Sequence, residues 1–220
     1  MTYKDLEKYL LSIADQKFAN FSKSLSNSDY ISIGVKNPVL RDIIKQNKND
    51  VYLKTEDFEL GKYLETDFIY FGLSISRMST VDDQLAFLLQ NAKNAKSWAI
   101  TDCLPSFMKK VPFDKFYDFF LKAYLSKDTY LRRMAYVLGL KQYRDPKITR
   151  ILPLFCENEE YIVMMSEAWL LSGIALTYED EVYSFLLKCK DLTLKRKTIS
   201  KINESLRFSE TSKNKFKSLR

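Results

Sequence analysis

Trp98 and Asp102 stand four residues apart in the run Lys96-Ser97-Trp98-Ala99-Ile100-Thr101-Asp102-Cys103. On a helix that spacing turns both side chains the same way, so an aromatic plane and a carboxylate share one patch and form a candidate site. A core tryptophan with an aspartate at the helix surface is the plainer alternative. Arg132 and Arg133 open an otherwise apolar helical run, where two cations oppose the helix dipole and suit an anionic ligand, although solvated arginines have the same pattern. Trp169 lies in the largely apolar run 164–173, where core packing is the default for an indole.

The chain has no histidine, the residue that supplies the commonest general base and the commonest zinc ligand. Triads of the usual kind and zinc-water hydrolysis are therefore not expected, and any chemistry must rest on carboxylates, lysines, tyrosines or thiols. No metal and no cofactor is expected. Cys103, Cys156 and Cys189 are odd in number and widely spaced, which fits reduced, isolated thiols. Charged residues at Lys4, Asp5, Glu7 and Lys8 argue against a cationic leader followed by an apolar stretch. No run approaches the roughly 20 apolar residues of a membrane span. A cytoplasmic protein with no membrane partner is the expectation.

The elements that must position these residues are helical. Of the 220 residues 46% are hydrophobic and 14% aromatic, with only five glycines and five prolines, a composition too apolar for a disordered chain and too poor in turn residues for an all-β one. Apolar residues recur at spacings of three and four, as in Leu6, Tyr9, Leu10 and Ile13, and again in Phe68, Phe71, Ile75 and Met78. The pattern continues through 85–89, 113–125, 130–140, 163–175 and 182–187, with no convincing strict alternation. Breaks fall at 34–38, 78–82, 111–114, 144–146 and 156–159. Thr80, Asp114 and residues 126–128 place capping or acidic groups at helix starts. Helix pairs of about 30 to 40 residues result, close to the period of helical solenoids. A bundle fits the same pattern. A curved α-α superhelix is preferred, because short helices with short connections stack into an array with one concave face. A single domain spanning 1–220 is expected.

Charge is uneven. Residues 188–220 hold eleven lysines and arginines against Asp191, Glu204 and Glu210, a local net of +8, whereas the whole chain carries +7 and residues 1–187 therefore sum to about −1. Such a segment contacts phosphates or an acidic partner, or is a solvated helical end with a frayed basic tail.

Taken in order, these features resemble the HEAT-like DNA glycosylases of the DNA alkylation repair family. The resemblance begins at Gly34-Val35-Lys36-Asn37-Pro38-Val39-Leu40-Arg41, similar to that family's glycine, hydrophobic, basic, x, proline, x, leucine, arginine entry into a helix. It continues through Trp98 with Asp102, Arg132-Arg133, and residues 161–172 around Trp169, and ends at 201–207, so it covers nearly the whole chain. It implies a monomeric, all-α, HEAT-like helical-repeat solenoid acting on double-stranded DNA that carries a cationic N3- or N7-alkylpurine, without a tight pocket for an extruded base. Asp102 would stabilise an oxocarbenium-like sugar and help position water, with Trp98 and Trp169 packing against the backbone and deoxyribose. Arg133 would hold a phosphate, and Lys36, Arg41, Arg132, Lys197 and Lys201 would lie along the duplex. Met164 and Ser172 stand where relatives carry lysine and arginine, and residues 18–33 lack the strongly basic amphipathic helix of a DNA-gripping N-terminus. These departures define the alternative, a catalytically weak or inactive DNA-binding scaffold of the same family. An adaptor for another protein is the more distant alternative, suggested by the weakly charged first 187 residues.

Overall fold

The apolar periodicity becomes helices whose ends are fixed by caps and by glycine or proline. The computed structural model describes residues 1–26, 29–155 and 160–219. The expected break at 156–159, with Cys156, lies outside them. The described residues are helical, apart from loops and one isolated parallel bridge between Ile31 and Tyr63. No described helix is long and apolar enough to cross a membrane. The chain forms two compact units, residues 1–110 and 111–220. In each, helices pack on their near neighbours in sequence, the arrangement of a helical-repeat solenoid.

The first unit starts at α1 (Tyr3–Ser12), where the Thr2 hydroxyl accepts from the Asp5 amide and the Asp5 carboxylate accepts from the Thr2 amide, a reciprocal cap. Helices α2 (Gln16–Ser26), α3 (Asn37–Asn47), α4 (Leu64–Arg77), α5 (Val81–Asn91) and α6 (Trp98–Thr101) follow. Thr80 caps α5 as its position suggested, accepting from the Asp83 amide at 3.1 Å. The core is built on α4, which buries Phe68, Ile69, Phe71, Leu73 and Ile75. Its last residue, Arg77, donates to the carbonyls of Asn47, Lys48, Asp50 and Leu53 at 2.8 to 3.0 Å. One guanidinium thus satisfies the carbonyls that the end of α3 leaves unpaired and complements that helix's dipole.

The first turn of α4 is acidic and buried. The Glu65 carboxylate accepts from the amides of Ile33, Gly34 and Val35 at 2.8 to 3.3 Å and from the Ser32 hydroxyl at 3.0 Å. Asp67 accepts from the Tyr30 hydroxyl at 2.7 Å and the Gly61 amide at 2.9 Å. Two carboxylates thereby hold the segment that leads into α3. Gly34 sits in the left-handed region at φ +92°, and an added Cβ would lie 2.1 Å from the backbone oxygen of Asp15. Only glycine lets the chain pass so close to the start of α2.

The second unit contains α7 (Phe113–Tyr124), α8 (Thr129–Gly139), a 3-10 helix (Pro146–Leu154), α9 (Tyr161–Ala175), α10 (Glu179–Lys188), α11 (Leu192–Glu204) and α12 (Glu210–Lys217). Asp128 caps α8, accepting from the Leu131 amide at 2.7 Å. Aromatic rings connect the elements: Phe120 meets Tyr136 edge-on at 5.3 Å, Tyr136 lies 5.5 Å from Phe155, and Phe155 lies 5.9 Å from Phe185. Helix α9 is apolar almost all round because α8, α10 and α11 each pack on it. The basic end of the chain is folded rather than frayed. Leu194, Ile199 and Ile202 of α11 and Phe216 of α12 are buried, and Lys215 bonds Glu179 and Asp180 in the first turn of α10 at 3.1 and 2.5 Å.

Two outcomes follow from the α4 clamp. Gly34→Ala is expected to cost on the order of 2 to 4 kcal/mol in urea unfolding, combining backbone strain with a main-chain clash. Burial pushes the Asp67 carboxyl up to about 6 from 3.8, against the lowering effect of the bonds from Tyr30 and Gly61. The folded chain therefore holds this proton where the unfolded chain has released it. The resulting stabilisation, at most about 3 kcal/mol, is present at low pH and is lost as pH rises through that window. Melting temperatures measured from about pH 4 to about pH 6.5 should fall for the parent relative to Asp67→Asn.

Candidate active site

Helix α6 is a single turn. The Ser97 hydroxyl caps it by accepting from the Ala99 amide at 3.2 Å, and buried Ile100 and Leu104 anchor it to the core. It ends at Thr101, four residues before Pro105, which has no amide to donate to the Thr101 carbonyl; a 3-10 turn (Leu104–Ser106) follows. Asp102 is the C-terminal cap, its amide donating to the Trp98 carbonyl at 3.0 Å. The four-residue spacing is thus realised in one helical turn and not along a longer helix.

Both side chains are half-buried and line the same cavity of about 410 Å³, together with Phe18, Lys36, Glu65 and Phe68. Each wall comes from a different element: α2, the start of α3, the first turn of α4, and α6. Glu65 shares the cavity, but its carboxylate is already bonded by the Ser32–Val35 donors. Asp102 is the second carboxylate there, half-exposed, with the Thr101 hydroxyl at 3.4 Å. Aromatic faces beside a carboxylate stabilise a positive charge on a bound group without transferring a proton. Lys36 is exposed at the rim, its ammonium 6.0 Å from the Phe18 ring. Arg41 is not in the lining: it donates to the Ser106 hydroxyl at 2.6 Å and lies 5.2 Å from the Phe107 ring. Cys103 and Cys189 are free thiols, both pushed up in pKa chiefly by burial, which keeps them protonated and poor nucleophiles.

The remaining predicted residues belong to the second unit. Arg133 is buried in α8 and donates to the Ile162 carbonyl at 2.6 Å. Arg132 is bonded to Glu160 just before α9. Trp169 is not a core residue. It is 40% exposed on a helix whose neighbouring positions are buried, and it lines a cavity of about 390 Å³ with Lys201, Tyr143 and Arg207. Lys197 lies 5.6 Å from the Tyr161 ring, and Lys201 is 3.6 Å from Glu204.

A family model described as DNA alkylation repair enzyme matches residues 6–206. The chain belongs to the DNA alkylation repair enzyme family. No curated protein matches it. The structure adds Glu65 and Phe18 to the lining of the first cavity and Tyr143 and Arg207 to that of the second, none of which local spacing singled out. Glu65 carried a readable signal, an acid in the first turn of an apolar helix. The others carried none, because their neighbours lie far along the chain.

The exposure of Trp169 predicts its mutational cost. Trp169→Ala should lower unfolding free energy by less than about 2 kcal/mol, whereas Phe120→Ala, fully buried on α7, should cost about 3 to 5 kcal/mol in the same urea titration.

Proposed function

We propose that this protein is a cytoplasmic DNA glycosylase that binds duplex DNA as a monomer and excises cationic N3- and N7-alkylated purines. The observation that carries this reading is the half-buried Trp98 and Asp102 lining one cavity with Lys36, in a chain of the DNA alkylation repair family that has no histidine. An alkylated purine cation already leaves as a neutral base, taking the electron pair of the glycosidic bond, so no general acid is required. The sugar C1′ becomes cationic as that bond breaks. Asp102 stabilises it, and a water attacks C1′ while giving its proton to the carboxylate. Trp98 on the first unit and Trp169 on the second each present a ring face to the sugar-phosphate backbone in this reading. In the same reading Lys36, Lys197 and Lys201 face the phosphates, Arg41 and Arg132 reach them by exchanging their bonds to Ser106 and Glu160, and Arg133 is turned inward to the Ile162 carbonyl; the base needs no tight pocket of its own.

A DNA-binding scaffold with weak or no excision is the second reading, favoured by two observations. Met164 is buried, and the Ser172 hydroxyl donates back to the Trp169 carbonyl at 2.8 Å, so neither position supplies a cation.

Asp102→Asn separates the readings. It keeps the shape and removes the charge, and should slow single-turnover release of 7-methylguanine or 3-methyladenine by about a hundredfold or more, with undamaged-duplex affinity unchanged or slightly higher. Equal rates in parent and variant would sink the catalytic role, and no release by the parent would leave the scaffold.

A further inference from the structure

Two arginines gather at one tyrosine, which shares a cavity with Trp169 and Lys201, on elements that the sequence keeps far apart. Tyr143 follows α8 and is half-buried; Arg144 is next to it and exposed; Arg207 follows α11 and is exposed. Both guanidinium carbons lie 5.2 Å from the centre of the Tyr143 ring, and Arg207 donates to the Tyr143 hydroxyl at 2.9 Å. Lys201, Arg207, Tyr143 and Trp169 line the cavity of about 390 Å³ together. Among the described residues neither Arg144 nor Arg207 is in an ion pair, and the acid on this rim, Glu204, lies beside Lys201. Desolvation would raise the Tyr143 phenol, but the bond from Arg207 and the charges of both arginines outweigh it and hold the phenol below the usual tyrosine range.

Two guanidiniums held against one ring repel each other and have no carboxylate between them. The ring holds them there by cation–π attraction, and the N–H groups not bonded to the Tyr143 hydroxyl remain for another acceptor. A tetrahedral oxyanion matches that arrangement, since each arginine offers a planar fork to two of its oxygens. We propose that Arg144 and Arg207, mounted on Tyr143, clamp one backbone phosphate of duplex DNA, with Lys201 beside it, and so set which deoxyribose reaches Trp169. The proposal rests on the duplex-binding reading above. It adds a phosphate site on the second unit which does not involve the buried Arg133.

The test is fluorescence anisotropy with an undamaged labelled duplex across a salt series. Arg144→Gln/Arg207→Gln should lose roughly tenfold in affinity near physiological salt. It should also flatten the slope of log affinity against log salt by about one, the signature of one phosphate contact. A control that removes two exposed charges on α1, Lys4→Gln/Lys8→Gln, should change neither by as much, because screening acts over about 8 Å. Arg144→Lys/Arg207→Lys keeps the charges and loses the forks, so it should weaken binding severalfold at an unchanged slope, and it serves if the neutral pair does not fold. Inorganic phosphate replacing chloride at equal ionic strength should leave duplex affinity within about twofold. Equal losses in clamp and control variants, no loss in the clamp variant, full displacement by inorganic phosphate, or a parent that does not bind duplex would each overturn the clamp. The Asp102→Asn excision result bears on catalysis alone and leaves this assignment standing.

Discussion

Each unit is organised by a buried carboxylate. In the first, Glu65 on α4 collects the amides of Ile33, Gly34 and Val35 and the Ser32 hydroxyl. In the second, Glu167 on α9 accepts from the Tyr136 hydroxyl at 2.7 Å. A buried carboxylate without such donors is strongly destabilising, so the groups around it adopt few arrangements. For Glu65 the consequence reaches the candidate site. Its donors are the residues that run into α3 and set Lys36 at the cavity rim, and Gly34 is required there because the clamp draws the backbone against Asp15.

The two tryptophans illustrate how differently a site can be exposed within one fold. Trp98 lines the cavity of the first unit from a one-turn helix that ends at Thr101. Trp169 stands on the long central helix of the second unit, where buried neighbours hold the backbone rigid while the indole itself remains accessible. A large aromatic face left in water on a helix otherwise committed to the core makes a surface for a partner more than a packing element. The surroundings differ: Glu65 and Asp102 with Lys36 line the cavity of Trp98, and Lys201 and Arg207 with Glu204 line that of Trp169.

The basic character of the last 33 residues is divided by folding. Lys213 pairs with Glu210 within α12, and Lys215 pairs with Glu179 and Asp180, which fastens α12 against the acidic start of α10. Arg207 and Lys201 are directed toward Trp169 instead. Net charge therefore overstates what is available to a polyanion, and position decides which cations serve stability and which can meet a phosphate.

The sequence by itself determined the helical class, most helix boundaries and the pairing of Trp98 with Asp102. These depend on interactions within a few residues: apolar spacing, the caps at Thr80 and Asp128, and the breaks at Gly34 and Pro105. The indole of Trp169 was misleading, since an apolar run does not say which of its faces lacks a covering helix. Only the tertiary structure decided that the indole of Trp169 stays exposed, that Arg133 turns inward to the Ile162 carbonyl, and that Glu65 holds a loop some thirty residues earlier. It also brought Arg207 to Tyr143 across 64 positions of chain. Such contacts are chosen by how helices pack, and packing depends on the complementary shape of surfaces formed by residues far apart, to which no local spacing corresponds.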